Sequence, residues 1–102
     1  MDRMMNNLMK FNELLNSSEY KQAHQLLTRH TKDLKKYVPS DHPSLVSVMH
    51  NQAMVLKLEG NLADAKKKLK IIVKKYENIY GPYHPSTLSA LTNLGQVYSD
   101  LN

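Results

Sequence analysis

Apolar residues recur along most of the chain at helical spacing. Leu62, Ala65, Leu69, Ile72, Tyr76 and Ile79 follow one another at steps of three and four. That is one face of an amphipathic α-helix and does not fit the alternation of a strand. Gly60-Asn61 marks a turn before this helix and Gly81-Pro82 ends it,. Upstream, Tyr20, Ala23, Leu27, Leu34 and Tyr37 form a similar stripe, broken by His30 and closed by Pro39. Val46, Met49, Ala53 and Leu56 follow Pro43; Leu88, Leu91, Gly95 and Tyr98 follow Pro85, with Leu94 beside them. Proline suits a first helical turn, because the N–H it lacks would be unpaired there. Met4, Leu8, Phe11 and Leu15 lie on one stripe near the start. The pattern predicts five helices, over 2–16, 19–37, 43–58, 61–79 and 85–101.

These segments repeat. His42-Pro43-Ser44 recurs 42 residues later as His84-Pro85-Ser86. The same offset pairs Asn51 with Asn93, Val55 with Val97, Ala23 with Ala65 and Leu27 with Leu69. The small residues Ala53 and Gly95 share a register, which predicts close helix approach at both. Each unit is an αα-hairpin that cannot bury both faces alone and must stack on its neighbour. The chain is therefore expected to be all-α, an α-solenoid of about two and a half hairpins in a single domain 1–102. Repeat one covers about 1–37, repeat two about 43–79, and a half repeat 85–101. A helix without its partner at the end suggests part of a longer protein.

The string Gly60-Asn61-Leu62, Ala65, Leu69, Ile72, preceded by Ala53 and Leu56, resembles a tetratricopeptide (TPR) repeat. The 42-residue period exceeds the usual one of 34. The His-Pro opening of 43–58 and 85–101, and Asn93-Leu94-Gly95-Gln96-Val97-Tyr98, are similar to the longer repeats of kinesin light chain-like proteins. The resemblance implies that the first helix of each hairpin lines a concave groove for a partner peptide. Ser47, His50, Asn51, Met54 and Lys57 would face it, with Ser89, Thr92, Asn93 and Gln96. Asn51 and Asn93 then stand in a row. They could clamp a peptide backbone, since the amide both donates and accepts, or merely tie neighbouring helices. His50 and Thr92 stand where chaperone-binding relatives carry Lys, which argues against a carboxylate clamp.

Composition narrows the chemistry. The 102 residues contain no Cys, so thiolate ligands, disulfides and a Cys nucleophile are excluded,. The five histidines have no HExxH or carboxylate spacing for a metal,; His42 and His84 are expected to cap or pack. Glycines are isolated, no G-x-S-x-G elbow is present, and acidic residues are scattered,. No enzyme, no cofactor and no metal are expected. No apolar run is long enough to span a bilayer and no signal-peptide stretch opens the chain, so a cytoplasmic location is expected.

Fourteen Lys and Arg against nine Asp and Glu give a net charge of +5, which favours an acidic partner. Lys67, Lys70 and Lys74 share the outer face of 61–79, flanked by Lys66, Lys68 and Lys75. With few Arg and no aromatic interleaved in that run, a solvated face is favoured over nucleic acid. The expected function is a non-catalytic protein–protein adaptor binding a peptide, with an acidic one favoured. The alternative is a self-assembly module that forms a homo-oligomer through its exposed ends. Met4, Leu8 and Phe11 are its candidate contacts at one end, and Leu88, Leu91, Leu94 and Tyr98 at the other.

Overall fold

The computed structural model describes residues 19–102. The helix expected over 2–16, with Met4, Leu8 and Phe11, lies outside them. Four helices follow: α1 Tyr20–Leu34, α2 Pro43–Leu58, α3 Leu62–Tyr80 and α4 Pro85–Leu101. No strand occurs among the described residues. Each helix packs mainly on its sequence neighbours, and α2 also touches α4. The body measures 37 × 30 × 19 Å, and its least dimension is that of two helix layers.

Local chemistry fixes the joints. At His42 and His84 the ring Nδ1 accepts from the backbone N–H of Ser44 and Ser86, both at 3.1 Å. Each histidine is thus an N-cap, with proline at the next position,. At the end of α2, Gly60 takes φ +83°, a left-handed conformation that costs glycine little. The Gly60 N–H donates to the Lys57 carbonyl and that of Asn61 to the Leu56 carbonyl. These are the two bonds of a Schellman motif, and they turn the chain back within three residues. α3 therefore runs antiparallel to α2.

Two apolar clusters result. The first joins Ala23, Leu26, Leu27 and Leu34 of α1 to Leu45, Val48 and Val55 of α2. The second joins Val46 and Ala53 of α2 to Ala65, Leu69, Ile72, Val73 and Tyr76 of α3 and to Ala90 and Val97 of α4. So α2 is apolar on two sides, one for the helix before it and one for the helix after it.

Two sequence expectations, at Tyr37 and Gly95, need correction, and the α4 stripe named as an exposed end is open on one side. Tyr37 is 81% exposed rather than part of a stripe. The helix ends at Leu34, and tighter bonds from Lys36 to Asp33 and Tyr37 to Leu34 turn Val38 inward in its place. On α4 the buried side chains are Thr87, Ala90 and Val97, with Leu94 partly covered. Leu88, Leu91 and Tyr98 remain 46%, 41% and 40% exposed. The face of α4 pressed on α3 is the one equivalent to Leu45, Val48 and Val55. Finally, Ala53 is fully buried, but a Cβ on Gly95 would meet nothing within 4 Å. Close approach holds at the first of these two positions only, because α3 covers it and no described element covers the second.

Candidate peptide-binding face

The residues assigned to the groove by resemblance lie on α2 and α4, and two side-chain bonds draw the helices together. The Asn93 amide Nδ2 donates to His50 Nε2 at 2.9 Å. The Lys57 ammonium donates to Gln96 Oε1. Ser47, expected beside these residues, is exposed and hydrogen-bonds the Tyr76 hydroxyl. Asn51 and Met54 are half-buried; Ser89 and Thr92 are exposed. The Thr92 hydroxyl donates back to the Leu88 carbonyl at 2.9 Å.

The His50–Asn93 bond fixes the state of both groups. An amide nitrogen can only donate, so Nε2 accepts and the imidazole is neutral with its proton on Nδ1. Burial lowers the His50 pKa below the usual histidine value, which agrees with a neutral ring. One N–H and the carbonyl oxygen of Asn93 are not used by this bond.

Sequence reasoning missed a run of rings behind this face. His50 meets Tyr76 edge-on at 5.9 Å, Tyr76 lies 5.9 Å from Tyr80, and Tyr80 stacks on His84 at 4.0 Å. Burial, then the neighbouring Tyr80, raises the Tyr76 pKa, and the Ser47 bond opposes the shift. The four-residue spacing of Tyr76, Tyr80 and His84 is a visible signal, but it merges with the core stripe.

Lys67, Lys70 and Lys74 lie exposed on the outer side of α3. Lys75 instead bonds Asp41 at 2.8 Å. With Lys35, Lys68, Thr31 and Ser40 it lines a hollow between α1 and α3. Lys66 sits 5.9 Å over the Tyr98 ring. Among the described residues no group of three His, Cys, Asp or Glu is placed to hold a metal. No described helix is long and apolar enough to cross a membrane.

Stacked helical hairpins with capped, repeated joints define a helical-repeat solenoid. Residues 41–102 match the tetratricopeptide repeat family model, and the chain belongs to that family, whose fold supports protein–protein interaction and whose members are typically non-catalytic. The fold is similar to that of a kinesin light chain-like protein from Podosopora anserina with nearly identical TPR-like repeats. The TM-score is 0.85 at 21% identity, covering 97% of this chain and 47% of the other. A point-substituted form of that protein gives a TM-score of 0.84 at the same identity and coverage. The chain spans about half the length of these structures. No curated protein matches it.

Proposed function

We propose that this chain is a non-catalytic adaptor that holds an acidic peptide segment of another protein along α2 and α4. The observation that carries the proposal is the His50–Asn93 bond. It sets the direction of the Asn93 amide and leaves a donor and an acceptor free for one peptide unit,. Asn51 offers the same groups one repeat earlier. Lys57 and the net charge of +5 favour acidic side chains on the peptide,.

The test is fluorescence anisotropy with labelled acidic peptides of about ten residues, interleaving Asp or Glu with apolar positions. Asn51→Ala with Asn93→Ala is expected to weaken binding about tenfold, from hydrogen bonds worth about 0.5–1.5 kcal/mol each. Helical circular dichroism should be retained. His50→Ala separates the two roles of Asn93: it removes the bond between helices but keeps both amides, so the loss should be smaller. Equal affinity in the wild-type chain and the double variant would reject this groove.

A further inference from the structure

We infer that the hollow between α1 and α3 is a binding site for a phosphate monoester. It uses none of the residues assigned to the peptide-binding face and does not depend on the reading of that face.

The hollow holds about 320 Å³, at the small end of the range for ligand sites, about 300–1,000 Å³. Leu45 and Met49 of α2 line it, together with Thr31, Gln52 and three lysines, Lys35, Lys68 and Lys75. Two of the three ammonium groups, those of Lys35 and Lys68, have no hydrogen bond or ion pair among the described residues. The third, on Lys75, donates to the Asp41 carboxylate at 2.8 Å and to the Ser40 carbonyl at 3.4 Å. Gln52 is fixed in place: its Nε2 donates to Thr31 Oγ1 at 3.3 Å, and that hydroxyl donates to the Leu27 carbonyl at 2.8 Å. The Gln52 amide keeps a second N–H for a ligand.

Charge specifies the ligand. Asp41 offsets one of the three ammonium groups, and the balance, three positive less one negative, is +2. Asp64 shares a separate hollow with Lys68 but makes no bond to it. A phosphate monoester carries about −1.5 to −2 at pH 7 and offers three strong acceptor oxygens. It matches the balance and can accept from several of these donors at once, whereas a carboxylate brings a single charge and two oxygens. Lysine binds phosphate as a point charge and needs no planar fork. Stacking of the hairpins does not require this lining. Moved by 42 residues, Thr31, Lys35, Ser40 and Gln52 become Val73, Glu77, Pro82 and Leu94, while Lys68 and Lys75 move back to Leu26 and Asp33. The repeat thus places apolar or acidic residues where this hollow has donors and cations.

The test is isothermal titration calorimetry of the full chain at about 0.1 M salt with two esters, glycerol 3-phosphate and N-acetyl-phosphoserine amide. Saturable binding is expected, and acetate should not saturate. Lys35→Gln with Lys68→Gln should weaken both esters about tenfold or more, since one charge-assisted hydrogen bond is worth that much. Neither lysine has a partner to lose, so the helical signal should be retained. Lys70→Gln with Lys74→Gln removes the same charge from the exposed side of α3 and should change affinity far less. Asp41→Asn removes the competing carboxylate and should tighten binding severalfold, a gain that misfolding cannot produce. The tighter of the two esters tells whether the phosphoryl group arrives on a protein side chain or on a small soluble molecule, and either result supports the site. Equal losses in the two double variants would reduce the effect to general charge and overturn the inference. So would unchanged binding in Lys35→Gln with Lys68→Gln, weaker binding in Asp41→Asn, or no saturable binding of either ester. Inorganic phosphate bound with both esters refused would overturn the choice of a monoester.

Discussion

His30→Leu should make the protein more stable and less sensitive to acid. His30 is 4% exposed, stands in the α1 core and has an Nε2 with no hydrogen-bond partner. Its counterpart one repeat on is Ile72, also fully buried. An unsatisfied buried polar atom costs about 1–3 kcal/mol, and leucine removes it at similar volume. Imperfect fit can return part of that gain, since a shape change in a packed core costs up to about 1–3 kcal/mol. A net gain of about 1 kcal/mol is expected, which corresponds to about 4–8 °C in Tm for a chain of this size. The pH dependence has a definite sign. Burial lowers the His30 pKa, with Asp33 opposing. The folded state therefore binds fewer protons than the unfolded state just below pH 6.5, and stability rises with pH there. Above 6.5 neither state holds the proton and the stability is complete. It is lost as pH falls through 6.5 and on through the lowered folded value. His50 is shifted the same way by burial, so His30→Leu should flatten this slope without abolishing it. Urea unfolding followed by circular dichroism from pH 5 to 8 measures both quantities. A lower midpoint at pH 7.5, together with an unchanged acid slope, would refute the reasoning.

Two further outcomes follow from the joints and the close contacts. His84→Ala should lower stability by about 1 kcal/mol through loss of the N-cap, with a further loss from the Tyr80 stack, whereas His84→Asn should recover the cap portion; urea midpoints decide this. Ala53→Leu should cost more than about 2 kcal/mol, because the site is closed by α3,; Gly95→Ala should stabilise by about 1 kcal/mol in an open helical site,, and thermal melts of the two give opposite signs.

The sequence made α3 legible because it is amphipathic on one side: Ala65, Leu69, Ile72 and Tyr76 are all buried. The His-Pro-Ser strings also announced the starts of α2 and α4. The helices α2 and α4 were harder, since α2 meets a neighbour on two sides, whereas α4 carries two apolar sides of which the described residues cover one. A single apolar stripe cannot say which side is covered. On α4 Leu88 and Leu91 face outward, while the modest Thr87 and Ala90 are buried. Comparing Leu45 with Thr87 and Val48 with Ala90 across the repeat would have exposed this second face. The candidate face was legible only as a row of residue types. That Asn93 would find His50, 43 residues away, depends on the stacking of α2 against α4, which no local pattern encodes.

Among the described residues the two apolar clusters meet through α2, and this makes that part of the molecule energetically partitioned. Leu27 and Leu69 occupy matching places in the repeat yet share no cluster. Damage at one is therefore insulated from the other, and their costs combine by simple addition, as they do for separated sites. Almost every packed pair of helices is also adjacent in sequence, so no distant loop must close before contacts form. Such a body tolerates duplication of one hairpin because each new unit needs only the face of the last one. The protein is, in that sense, modular below the level of the domain.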